Sequence, residues 1–314
     1  MNFNQKIEEL KSIIHQQLAP LIDNDYVLYE VPYYNNIGDL LIWEGELHFL
    51  RSLSYSMLAC HSSFTYKPCR SMTSNTIILL QGGGNFGDIW RSAQDFRLKI
   101  IKQYPNNKII IFPQTVFYDN PELMKADAKI MERHKNLTIC ARDKVSYELL
   151  KKHFTNNILL VPDMAFCIQP ETLKKMQCPT QERTLFLKRT DKELVGLDYK
   201  IRSQYPITVS DWPTMEHTDW VQVCLRATSI PRKLLGITQL NDWYGINVYR
   251  PQLIKKGVEF ISQYKEIHTT RLHVAILCIL LGKPFHFFDN SYRKNKTFFD
   301  TWLSDVNDIK FIQQ

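Results

Sequence analysis

The sequence predicts an α/β protein made of two Rossmann-like, doubly wound domains facing a cleft. Two observations lead there. Short, wholly apolar runs suited to strands buried on both faces alternate with longer stretches whose apolar residues recur at helical spacing. At 314 residues, 44 % hydrophobic and 12 % aromatic, the chain is also long enough for two cores. The alternation is interrupted once, between about 168 and 183, where Pro170 and Pro179 mark a linker. The expected halves are therefore 1–169 and 184–314.

The first stretch, 1–18, places Ile7, Leu10, Ile14 and Leu18 on one helical face among charges and reads as an amphipathic surface helix, not a signal peptide. Strands follow at 26–31, 76–80, 108–112, 137–141 and 157–161. Helices are expected between them at 40–53, 89–104, 121–134 and 143–154. In the second half the strands are 184–188, 206–210, 266–269 and 284–288. Helices are expected near 214–235, 247–263, 270–281 and 296–305.

The formal charge of +7 comes from scattered Lys and Arg with no long basic run. Nucleic acid is therefore not an expected partner, whereas acidic metabolites or an anionic membrane surface fit. No apolar stretch reaches the length of a spanning helix. Seven cysteines without a C-x-x-C read as reduced thiols of a cytoplasmic protein. Histidines lack H-x-H or H-E-x-x-H spacing, so no metal is expected. Asp23-Asn24-Asp25 precedes the first strand and reads as a turn.

Ligands of doubly wound sheets collect beyond the carboxyl ends of the strands, which singles out several loops. Gly82, Gly84 and Gly87 satisfy Gly-x-Gly-x-x-Gly. The next strand, however, ends in Pro113, Gln114 and Thr115, without the acidic residue that holds a dinucleotide ribose. The glycines then serve either a ligand-facing loop or a tight turn before the helix. In NNIGD, 35–39, Gly38 permits a bend and Asp39 can cap the next helix. Arg142 suits a bidentate carboxylate or phosphate contact, or else a surface ion pair, beside the helix cap Asp143.

The helix at 270–281 is the most informative segment. From Val274 to Leu281 it is entirely apolar, so it must be covered on nearly every side. Its polar mouth carries Arg271 and His273, with Thr269 and Thr270 as caps, which is the layout of an anion site. The plainer reading is a buried helix with Arg271 paired to a carboxylate and His273 bonded in the core.

Taken together, N-x-GD at 36–39, GGGNFGD at 82–88, PQT at 113–115, RDKVSYELL at 142–150, PD at 162–163, RLH at 271–273 with GKP at 282–284, and Y-x-K at 292–294 resemble the polysaccharide pyruvyltransferase family. The resemblance runs from about Asn36 to Asp300, weakly between 190 and 260. It implies a glycosyltransferase-B-like fold, with the acceptor on the amino-terminal side and phosphoenolpyruvate on the carboxyl-terminal side. The implied reaction transfers the pyruvyl group to a sugar, free or lipid-linked, as a cyclic ketal, with no cofactor beyond the donor substrate.

By the same resemblance Arg142, Arg271 and Lys294 hold the donor and His273 protonates its methylene carbon. Asp39 and Asp88 are candidates for the base. Asn36, Gly83, Gly84, Asn85, Gln114 and Leu272 line the substrate. A helix N-terminus favours neutral His273, while a bound dianionic donor pushes it towards the protonated state. Arg293 stands where relatives carry a small residue, a departure that bears on acceptor choice. The rival readings are a nucleotide-sugar glycosyltransferase of the same architecture and a silent anion-binding scaffold protein. Positive charge and the amino-terminal helix also permit loose docking on a membrane.

Overall fold

The computed structural model describes residues 1–190, 199, 201–218, 220–290 and 293–312. The chain divides into two compact units. One comprises Met1–Leu10, Tyr33–Glu44 and Ala165–Gln314, the other Lys11–Pro32 and Gly45–Met164. Each carries one sheet in which every observed strand pairing is parallel.

The first sheet has seven strands: β1 (Tyr26–Tyr29), β2 (Met57–His61), β3 (Ile77–Leu80), β4 (Gly83–Gly87), β5 (Ile109–Phe117), β6 (Leu137–Ala141) and β7 (Asn157–Leu160). Their order is β2-β1-β3-β5-β6-β7, with β4 paired to β5. Every residue of β1, β3 and β6 is buried, as expected for parallel strands covered by helices on both faces. Those helices follow the sequence pattern: α1 (Phe3–Leu18), α2 (Ile37–Arg51), α3 (Arg91–Gln103), α4 (Pro121–Met131) and α5 (Lys144–His153).

The apolar face of α1 is buried, Leu10, Ile14 and Leu18 completely, so that face is committed to packing. The Asp23 turn is held by Lys108, whose Nζ lies 2.6 Å from Asp23 Oδ1.

The glycine-rich run forms neither a loop nor a turn before a helix. It is the strand β4, with Gly83 opposite Gln114 and Gly87 opposite Phe117. Gly87 has φ 126°, and a Cβ there would lie 1.7 Å from the Phe117 carbonyl oxygen. Only glycine allows that backbone to approach β5 so closely.

In the five-stranded unit the strands are β8 (Gln181–Leu187), β9 (Ile207–Ser210), β10 (Tyr264–Thr269), β11 (Phe285–Phe288) and β12 (Ile309–Ile312), in the order β12-β11-β10-β8-β9. The expected linker contains a short helix, α6 (Pro170–Lys174), started by its proline. The single helix expected at 214–235 is broken into α7 (Pro213–Glu216), α8 (Trp220–Thr228) and α9 (Ile230–Leu235), with Asp219 outside the described residues. Then come α10 (Gln239–Tyr244), a π turn at Gly245–Tyr249, α11 (Arg250–Ser262), α12 (Leu272–Leu281) and α13 (Lys294–Phe298). As its composition required, α12 is buried along nearly its whole length.

Candidate functional site

In the five-stranded unit the structure brings together Asn36, Asp39, Arg271, Leu272, His273 and Lys294. The link across more than 200 residues of chain is the start of α2. Its segment is fixed from several sides: Asn35 Nδ2 donates to the Thr214 carbonyl at 2.8 Å, and Tyr33 donates to Asp242 Oδ1 at 3.0 Å. Arg250 pairs with Glu44 and lies over the Trp43 ring, 5.1 Å from its centroid. Burial pulls the Arg250 guanidinium pKa down to about 10, with nearby Tyr33 opposing the shift.

Held this way, Gly38 sits in the first turn of α2, directly against His273. A Cβ on Gly38 would be 2.7 Å from His273 Nδ1 and 3.0 Å from its Cβ and Cγ. The glycine is therefore needed to admit the imidazole, not to bend the chain. The cap also differs from expectation. Asn36, not Asp39, caps α2: its Oδ1 accepts from Gly38 N at 3.1 Å, while its Nδ2 donates to Asp39 Oδ2 at 2.7 Å. Asp39 is thereby oriented beside the His273 contact.

At α12 the threonines do not cap. Arg271 occupies the N-cap position, with no side-chain capping bond. Thr269 Oγ1 accepts from Arg271 N at 3.0 Å and donates to the Leu187 carbonyl at 3.2 Å. Thr270 Oγ1 accepts from Arg189 N at 3.1 Å. The hydroxyls are used in tying β8 and its following loop to β10, which leaves them unavailable to the helix.

Arg271 is buried and bonded by Nε and one terminal nitrogen to the two oxygens of Asp211, each at 2.5 Å. Asp211 is wholly buried and also accepts from Trp212 N at 2.7 Å and from the Thr190 hydroxyl at 2.9 Å. The plainer reading of Arg271, a paired side chain, is thus part of its geometry. Asp211 escaped the sequence reading, although it immediately follows β9, where the strand-end argument pointed.

Lys294 is also buried. Its neighbour Asn295 donates to the carbonyls of Thr270 and Phe288, both at 2.8 Å, which anchors α13 to the start of α12. Arg293, exposed, has left-handed φ 55°. A small residue meets less steric resistance in that backbone region. Tyr292 of the Y-x-K motif lies outside the described residues.

The remaining candidates belong to the seven-stranded unit. Arg142 does not form a surface pair. It is buried, with NH1 2.8 Å from Asp163 Oδ2 and Nε 2.8 Å from Thr115 Oγ1. A Cβ on Gly84 would lie 2.9 Å from its NH2. Asp143 caps α5 as expected, accepting from Ser146 N at 2.8 Å. Gln114 is buried and donates to the Gln81 carbonyl at 2.7 Å. Asp88 accepts from the backbone of Asp119 and Asn120, the latter at 2.7 Å, and so shapes the turn into α4. Asn85 receives the buried Arg97 on its carbonyl at 3.2 Å and on Oδ1.

Arg97 also pairs with Glu30 at 2.8 Å. Glu46, fully buried, accepts from Gly82 N at 2.8 Å. Burial pushes its carboxyl well above the ordinary range, partly relieved by that bond, with Asp163 and Glu30 adding to the rise. A carboxyl that holds its proton more tightly than usual thus bonds the start of the glycine-rich run. Composition could not have revealed these groups, because their chemistry depends on being enclosed.

Among the described residues, Glu266, His268 and His286 have ligand atoms within 4.8 Å of one another. Glu266 and His268 share one face of β10, and His286 is opposite His268 on β11. This geometry escapes a linear search for ligand spacing. The atoms bond each other: Glu266 Oε1 to His268 Nε2 at 2.9 Å, and His268 Nδ1 to His286 Nδ1 at 3.1 Å. Burial lowers the pKa of both histidines; Glu266 opposes the shift at His268, and His268 adds to it at His286.

A histidine pKa lower in the folded than in the unfolded chain means that the unfolded state binds the proton first as pH falls. Its contribution is present above about pH 6.5 and is lost progressively below it. Melting temperature should therefore fall from about pH 7 to 5, and His286→Gln should flatten that slope. An identical slope in the variant would contradict the assignment.

Residues 36–292 match the family described as polysaccharide pyruvyl transferase. The provisionally named pyruvyl transferase EpsO of Bacillus subtilis is 34% identical over 100% of this chain and 94% of its own length. Pyruvyl transferase 1 of Schizosaccharomyces pombe is 27% identical over 87% of this chain and 68% of its own. A functionally uncharacterized protein of Klebsiella pneumoniae, known from its crystal structure, is similar in fold, with a TM-score of 0.61, 20% identity and full coverage of both chains.

Proposed function

Because this chain belongs to the polysaccharide pyruvyl transferase family, we propose that it transfers the pyruvyl group of phosphoenolpyruvate to a sugar of a polysaccharide or of its lipid-linked precursor. The product is a cyclic ketal, and phosphate is released. The two parallel-sheet units are read as the halves of a glycosyltransferase-B-like fold. The observation that carries the reading is the half-buried imidazole of His273, seated against Gly38 where the start of α2, bearing Asp39, meets the start of α12, bearing Arg271.

In this reading His273 delivers a proton to the donor's methylene carbon, and positive charge develops at the enol carbon. One sugar hydroxyl adds there and gives up its proton, with Asp39 as the acceptor. The carbon–oxygen bond to phosphate then breaks, phosphate leaving with the electron pair, and a second hydroxyl closes the ketal as its proton returns to His273. Donor anions are held by Lys294 and Arg271 of the five-stranded unit. Fixed cations that need no reorganisation stabilise the phosphate as it leaves. Asp88 is the weaker base candidate, since its oxygens already accept from two backbone amides.

Phosphate release from phosphoenolpyruvate, measured across galactosides, mannosides and their lipid-linked forms, tests the proposal. Release coupled to the mass gain of one pyruvyl ketal on an acceptor is the expected result. Thermal protection by uridine or guanosine nucleotides, with no response to phosphoenolpyruvate, would identify a nucleotide-sugar glycosyltransferase instead.

A further inference from the structure

Helices α8, α9 and α10 of the five-stranded unit turn their apolar side chains outwards. Trp220, Leu234 and Leu235 are 76, 76 and 73 % exposed, and Trp243, Ile230 and Leu240 are 57, 53 and 46 % exposed. Helical spacing groups them, with Ile230 and Leu234 on one face of α9 and Leu240 and Trp243 on one face of α10. The uncharged Gln222 and Asn241 and the acidic Asp242 face inwards. Gln222 is buried and donates to the Thr214 carbonyl at 3.2 Å. Asn241 donates to the Leu225 carbonyl at 3.1 Å and to Thr228 Oγ1 at 2.9 Å. Asp242 accepts from Tyr33. This is the reverse of a helix that faces water, whose apolar stripe is buried.

Exposed apolar clusters of this kind mark docking surfaces, and charge selects the occupant. From Trp220 to Leu240 the charged residues are Arg226, Arg232 and Lys233, with no acidic residue. Asp242, the next acid in the chain, is buried. Tryptophan and leucine combined with charges of only positive sign match the boundary of an anionic bilayer, where rings sit at headgroup depth and cations meet lipid phosphates. The chain's net charge of +7 adds attraction towards such a surface.

We propose that the α8–α10 face docks peripherally on an anionic lipid bilayer. Trp220, Leu234, Leu235 and Trp243 enter the boundary between headgroups and acyl chains, and the exposed Arg226 contacts the phosphates. This does not rest on the pyruvyl transfer reading, although it adds to that reading by bringing the protein to a lipid-linked acceptor. Tyr33, bonded to Asp242 of α10, and Asn35, which shares the Thr214 carbonyl with Gln222 of α8, join the docking helices to the segment that carries Asn36 and Asp39.

The test is co-sedimentation of the full chain with phosphatidylglycerol–phosphatidylcholine vesicles and with phosphatidylcholine vesicles alone, at low and high salt. Wild-type protein should partition onto the anionic vesicles, less so at high salt, with a blue shift of tryptophan fluorescence. The Leu234→Glu/Leu235→Glu variant should lose roughly tenfold or more of that partition. Its melting temperature should not change, because both positions are exposed. Its turnover of a soluble acceptor should also be unaffected, which separates failure of docking from failure of the proposed reaction.

Absence of wild-type binding to anionic vesicles, or equal binding by the variant, would overturn the proposal. So would a wild-type oligomer that the variant dissociates without any vesicle effect, since the face would then join copies of the chain.

Discussion

Pyruvyl transfer by His273→Gln is expected to fall by roughly two to four orders of magnitude, the contribution ordinarily made by a positioned general acid. Phosphoenolpyruvate affinity and melting temperature should change little. His273 is half-buried, and glutamine retains a polar side chain of similar reach without a proton to deliver. The companion variant Gly38→Ala tests position separately from chemistry. Its new methyl would lie 2.7 Å from His273 Nδ1 and 3.0 Å from His273 Cβ and Cγ. Because Cβ and Cγ are close to the backbone, a rotation of the ring tip alone does not relieve the contact.

Alanine is otherwise the better helix residue, so Gly38→Ala should keep or raise helix stability while displacing the imidazole and lowering kcat. Single-turnover phosphate release and thermal melting of both variants check this. Near-normal turnover in either His273→Gln or His273→Ala would remove His273 from the chemistry. A large fall in melting temperature without loss of turnover in Gly38→Ala would show that the contact is only structural.

The second large effect concerns the Arg271–Asp211 pair. Arg271→Ala leaves a wholly buried carboxylate without its cation, and Asp211→Ala leaves the converse. Losing one partner of such a pair costs on the order of 3–5 kcal/mol. Either single variant should therefore lose much of its stability, and weakened donor binding by Arg271→Ala would be confounded with partial unfolding.

The double variant Arg271→Met/Asp211→Asn separates the two effects. It removes both charges, and its single amide oxygen keeps an acceptor on one side, for Trp212 N or for Thr190, which bond different oxygens of Asp211. It should recover part of the melting temperature. If Arg271 holds the donor, calorimetric titration with phosphoenolpyruvate should still show weakened binding. Recovered stability with wild-type donor affinity would assign the pair to the fold alone.

Much of the fold was legible because parallel strands covered on both faces must be continuously apolar. The runs that became β1, β3, β5 and β6 stand out for that reason. Edge strands need not carry this signature: β7 and β9 were legible, whereas β2 (Met57–His61) and β12 (Ile309–Ile312), also at the ends of their sheet orders, passed unnoticed. The glycine-rich run misled for a different reason. Its glycines permit both a loop and a close strand pairing, and only the position of the Phe117 carbonyl decides between them.

Among the site residues, sequence indicated what His273, Arg271 and Lys294 can do chemically. It could not show that Arg271 is bidentate with a carboxylate 60 residues away, or that Gly38 is absent of side chain for the sake of His273.

The sequence by itself determined the strand–helix alternation, the buried character of α12 and the family to which the chain belongs. Each is written locally, in the order and spacing of residue types. Tertiary structure alone decided which carboxylate faces Arg271, which segment closes on His273, and that α8–α10 show their apolar faces to the outside. Those outcomes depend on distances between segments remote in the chain, and electrostatics and packing act through such distances regardless of sequence order.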